Sequence, residues 1–115
     1  MKNVCALRVT HIASDKLTWE EVARMFKKIG PLREGYTDRE LLSVWKKIGV
    51  KHKQLKISPN TCLSDFRKKF PKGVYVLSYH DHFTAVVNGK HHDFDRNREW
   101  FRKNFVKKVY KIISM

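Results

Sequence analysis

Cysteine is scarce in this sequence. Cys5 and Cys62 stand far apart with no CxxC spacing, so neither a disulfide framework nor a paired-thiol motif is indicated. No apolar core follows a basic start, as it would in a secretory leader, and a cytoplasmic location is therefore expected. No apolar run approaches the ~20 residues needed to cross a bilayer, so no membrane partner is expected. The chain also lacks internal repeats, low-complexity tracts and any composition shift that would mark a second domain. Acidic residues are few, with 11 Asp and Glu against 25 Lys and Arg, which leaves a net charge of +14.

What is present fits one domain over residues 1–115, a length at which a single core stands without staples. Hydrophobic residues make up 42% of the chain and include three Trp, seven Phe and four Tyr. That is enough apolar surface to offset chain entropy and argue against a disordered protein. The charge attracts polyanions through counterion release and steering. Nucleic acid or an acidic host protein would answer to it equally well. The basic residues that follow the last aspartate are Arg96, Arg98, Arg102, Lys103, Lys107, Lys108 and Lys111, against one acid, Glu99. With Trp100, Phe101, Phe105 and Tyr110 among them, this tail is a candidate polyanion-binding segment with stacking rings. In the plainer reading the Trp and Phe residues face the core and Lys107, Lys108 and Lys111 face water.

The opening stretch from Asn3 to Ser14 reads as a helix. Thr18 with Glu21 and Thr37 with Glu40 are capping boxes. Each is followed by an apolar stripe, through Trp19, Val22, Met25, Phe26 and Ile29 in one case and Leu41, Leu42, Val44, Trp45 and Ile48 in the other, ending at Gly30 and Gly49. A poor strand over 50–57 and a short third helix capped by Asn60 or Thr61 come next. The period then changes: "GVYVLSY" and "HFTAVVN" are β-branched and aromatic strands, and Asn88-Gly89 is a two-residue hairpin turn. The final "FVKKVYKII" fits a strand better than a helix. Helices first and an antiparallel sheet second make an α+β fold.

Four of the six histidines crowd the stretch from Ser78 to Asp95. Closing the chain at Asn88-Gly89 pairs Val87 with Lys90, Val86 with His91, Ala85 with His92 and Thr84 with Asp93. His82 then shares a face with Thr84 and Val86, and Phe83 with Ala85 and Val87. A metal site would take His80 and His82 from one face of a strand, with His91, His92 and Asp93 across the hairpin. In this register His91 and His92 point to opposite faces, so they cannot both be ligands. No metal and no cofactor are expected.

The residues Asn3, Cys5 and Arg8, spaced as N-x-C-x-x-R, together with "TWEEV" from Thr18 and "FPKGVYVLSYHDHFTAVVNGKHHD" from Phe70 to Asp93, resemble a group of small bacterial and bacteriophage proteins. That group is similar to papain-like, C39-like cysteine peptidases. The resemblance runs from Asn3 to about Val109. It implies a papain-like fold, Cys5 as nucleophile, His82 as base, Asp93 as the group that orients the imidazole, and Asn3 as an oxyanion donor. It also implies a peptide or protein substrate, cleaved at a peptide or isopeptide bond, and a host cytoplasm if the gene is carried by a phage. The sequence departs from the group's pattern at Asp81, where Gly is usual, and at Val4, where Asp is frequent.

The residues suit that chemistry. A helix N-terminus and a nearby imidazolium are the two features that favour a thiolate, and the free N–H groups of the first turn can face an oxyanion. In the hairpin register Asp93 lies one pair away from His82, and Asp95 lies directly opposite it, so Asp95 is the alternative orienting carboxylate. Cys62, at a helix cap, is read as structural. Arg8 braces the loop before the first helix or pairs with a carboxylate. With Cys5 this close to Met1, activation by removal of an N-terminal propeptide is not expected. The alternative from another class is a catalytically inactive basic binding protein of phage type.

Overall fold

The computed structural model describes residues 5–14, 16–32, 35–92 and 96–114. Its elements run α1 (Cys5–Ala13), α2 (Trp19–Lys27), α3 (Asp38–Ile48), β1 (Lys51–Leu55), α4 (Leu63–Lys69), β2 (Val74–Tyr79), β3 (His82–Val87), β4 (Lys90–His92), α5 (Arg98–Lys103) and β5 (Lys108–Ser114). The class is α+β. The helices do not all precede the sheet, however, since β1 lies before α4 and α5 separates β4 from β5.

Both capping boxes form. The Thr18 and Thr37 hydroxyls accept the N–H groups of Glu21 and Glu40, whose carboxylates accept the N–H groups of the two threonines in return. Gly49 ends α3 at φ 81°, a left-handed conformation that costs Gly little. The start of α4 differs from the sequence expectation. Its N-cap is Cys62, which makes no side-chain capping hydrogen bond, while the Thr61 hydroxyl instead donates to the Ser58 carbonyl.

The five strands form one antiparallel sheet in the order β1-β5-β2-β3-β4. The hairpin register follows from its turn: Asn88 and Gly89 take φ 49° and 78°, and Val87, Val86 and Ala85 face Lys90, His91 and His92. The turn is also anchored laterally. The Asn88 side-chain carbonyl accepts the Gly73 N–H at 3.0 Å, and the Gly73 carbonyl accepts the Asn88 N–H at 2.8 Å. Gly73 itself takes φ 110°, and a Cβ there would come within 3.1 Å of the Tyr75 ring, so this approach demands glycine.

Strand alternation divides the core into two layers. On one face Val76, Phe83, Ala85 and Tyr110 pack with Leu7 and Val9 of α1, Phe26 of α2 and Trp45 of α3. On the other, Tyr75, Leu77, Tyr79, Val86 and Val109 pack with Leu63 and Phe66 of α4 and Phe101 of α5. The sheet is thus sandwiched between α1–α3 and α4–α5. Side chains as large as Trp45 and Phe26 are fully buried, each contributing roughly 1.5–3 kcal/mol or more relative to exposure.

Candidate active site

Cys5 is the first residue of α1 and is 8% exposed. It belongs to the cluster that contains Tyr36, Phe83 and Ala85, because α1 lies across β3 and β2. The nucleophile candidate therefore sits at a helix start laid over the strand that carries the base candidate. Arg8 is half-buried one turn further along the helix.

His82 is the first residue of β3 and is 2% exposed. It pairs across the β2–β3 hairpin with Tyr79. Its ring centroid lies 5.2 Å from that of Trp100 and 6.1 Å from that of Phe101, and Trp100 in turn packs at 5.1 Å on Tyr79. The imidazole is thus held by the aromatic side of α5, while its neighbour Phe83 packs on the α1 side with Cys5. The sheet brings Cys5 next to the start of β3 but assigns the two side chains to opposite layers.

The histidine-rich hairpin is largely structural. The Thr84 hydroxyl and His91 Nε2 are 2.8 Å apart, and the His91 ring packs edge-on to Phe101 at 4.5 Å. His80 does not lie on a strand face, as the metal hypothesis required, but in the two-residue turn between β2 and β3. There its Nε2 lies 3.2 Å from the exposed Asp81 carboxylate. Asp81 takes φ 62°, a left-handed conformation that Gly adopts freely and Asp tolerates. The replacement of Gly at this position is therefore accommodated by the backbone, and the added carboxylate is directed to solvent. Among the described residues no group of three or more His, Cys, Asp or Glu is arranged to hold a metal ion. Asn3, Asp93 and Asp95 lie outside the described residues.

A cleft of about 280 Å³ opens at the His82 end of the sheet, lined by His82 and Phe83 and by Tyr36, Thr37 and Asp38 at the start of α3. Tyr36 and Phe83 connect it to the Cys5 cluster. Asp38 was not visible as a site residue in the sequence, where it reads as an ordinary first-turn acid. In the structure the Ser78 hydroxyl donates to its Oδ1 at 3.0 Å and the Tyr110 hydroxyl donates to its Oδ2. Burial, followed by this carboxylate, pushes the Tyr110 phenol well above its ordinary range. A fixed carboxylate therefore stands on one wall of the cleft, with Lys107 and Lys108 on the rim.

No family model, curated protein or solved structure matches the chain. The functional reading accordingly rests on the motifs and the geometry together.

The tail cations do not form a single stripe. Arg96 stacks over Trp100 with its guanidinium carbon 5.5 Å from the ring centroid, and Lys103 lies 3.8 Å from Glu99. Arg98 and Arg102 line a second cleft, whereas Lys111 is on β5 directly between Tyr75 and Lys53. Phe101 is buried and Trp100 half-buried, as expected of core aromatics, but Phe105 is 47% exposed. It is a linker residue between α5 and β5, outside the packed face of either element.

Proposed function

We propose that this protein is a papain-like thiol hydrolase acting on a peptide or isopeptide bond. The supporting observation is that Cys5 opens a helix packed on β3, the strand that His82 opens, beside a cleft that His82 and Phe83 line. In the proposed reaction His82 takes the Cys5 proton as the sulfur bonds to the carbonyl carbon, and the carbonyl oxygen becomes an oxyanion. Collapse of that intermediate breaks the carbon–nitrogen bond, and His82 returns the proton to the leaving amine. Water then attacks the thioester, with His82 as base, and releases the acid and the free thiol.

The N–H groups of the first turn of α1 would face the oxyanion, aided by the Asn3 amide. Asp93, or Asp95 in its place, would hold the imidazole tautomer. Since the His82 ring rests against α5, thiol and imidazole would meet around the end of the sheet, where β3 begins. No cofactor takes part in this sequence of steps. Both cysteines are free thiols, a state that a reducing cytoplasm maintains, which supports action in that compartment. Among the described residues no helix is long and apolar enough to cross a membrane.

Mixing the protein with p-nitrophenyl acetate tests the reading. The expected result is a burst of one equivalent of p-nitrophenol with an acetyl group on Cys5, absent from Cys5→Ala and slowed at least tenfold in His82→Ala. A burst that survives Cys5→Ala, or no acylation of Cys5, would remove the hydrolase reading and leave the basic binding protein.

A further inference from the structure

The cleft between α4 and α5 has a volume of about 420 Å³, within the size range of small-ligand pockets. Its walls carry Arg67 from α4 and Arg98 and Arg102 from α5, over a floor of buried Leu63 and Phe101, with Ser64 on its edge. Among the described residues that line it, none is acidic. The Arg67 Nε–H donates to the Gly89 carbonyl at 2.7 Å, which fixes that side chain and uses one of its five donors. Arg102 faces an exposed Glu99 at 3.9 Å, a contact too loose and too solvated to neutralise it. Arg98 has no ion pair among the described residues.

Three guanidiniums gathered around one concavity repel one another, and this cost to the fold is not offset by any described acid in the cleft. Guanidinium forks match phosphate oxygens bidentately. We propose that this cleft binds the phosphodiester backbone of nucleic acid. A long polyanion fits better than a small phosphate because the positive field extends well past the cleft. The chain carries +14 overall, and Lys53 and Lys111 stand directly opposite each other on β1 and β5, a like-charge pair that disfavours the sheet unless a polyanion covers it. The cleft lies on the α5 side of the sheet and does not depend on the thiol chemistry, so Cys5→Ala should leave it intact.

Fluorescence anisotropy with a labelled single-stranded oligonucleotide of about 15 residues, read over a salt series, tests the proposal. R98E/R102E should weaken binding at least tenfold and flatten the plot of log affinity against log salt by about two units. K27E/K28E makes the same change of charge on exposed α2-side residues and should do much less. The milder R98Q/R102Q variant should move affinity in the same direction, with thermal unfolding confirming the fold of each. Equal losses in R98E/R102E and K27E/K28E would mean diffuse charge only and would overturn the site. So would an absence of oligonucleotide binding, or a mononucleotide that binds as tightly as the strand.

Discussion

The indole N–H of Trp45 donates to the Thr10 hydroxyl at 2.9 Å, and that hydroxyl donates in turn to the Ala6 carbonyl at 2.8 Å. Both residues are fully buried, so this pair fixes α3 against the helix that begins with Cys5. Thr10→Val preserves shape but leaves the indole N–H without its acceptor. It should lower unfolding free energy by about 1–3 kcal/mol in urea titration, and Thr10→Ser should recover most of the loss.

His52 and Tyr110 pack on each other and on Trp45, with ring centroids 5.4–5.9 Å apart. Burial lowers the His52 pKa below its ordinary value, so its contribution to stability is full above about pH 6.5 and is lost as pH falls toward the folded-state value. The raised Tyr110 phenol acts at the other end. Its contribution is present below about pH 10 and is lost as pH rises beyond that, because the unfolded chain ionises first. Thermal unfolding against pH should show both declines. His52→Phe should remove the acid-side component and Tyr110→Phe the alkaline one.

The Asn88 side chain both permits the turn and ties it to Gly73. Asn88→Ala would put an alanine at φ 49° and leave the Gly73 N–H without that acceptor. The expected cost is about 1–3 kcal/mol, measurable by chemical denaturation. Faster amide exchange along β3 and β4 should accompany it, since this turn sets the position of the strand that begins with His82.

Much of this fold was legible because local signals were strong. Two capping boxes set the starts of α2 and α3, and one Asn-Gly turn fixed the β3–β4 register residue by residue. The α5 helix was not foreseen. Its signal was the single cap Asn97, whose side-chain oxygen accepts the Trp100 N–H, on six residues too short to show a period. The N-cap of α4 was misplaced because Thr61 has a nearer acceptor in Ser58. Alternation correctly assigned His82 and Phe83 to opposite faces, but which face α1 would cover depends on long-range packing that no local pattern encodes. The same limit hid Asp38, whose partners Ser78 and Tyr110 are 40 and 72 residues away, and the gathering of Arg67 with Arg98 and Arg102.

The central claim is that His82 serves the Cys5 sulfur, and Cys62 provides an internal reference for it. The decisive measurement is the rate of iodoacetamide alkylation at each cysteine near pH 7, read by mass spectrometry of peptides from the wild type and from His82→Ala. The account predicts that Cys5 reacts much faster than Cys62 in the wild type and slows at least tenfold in His82→Ala, while Cys62 is unchanged. Equal Cys5 rates in the two proteins would contradict it.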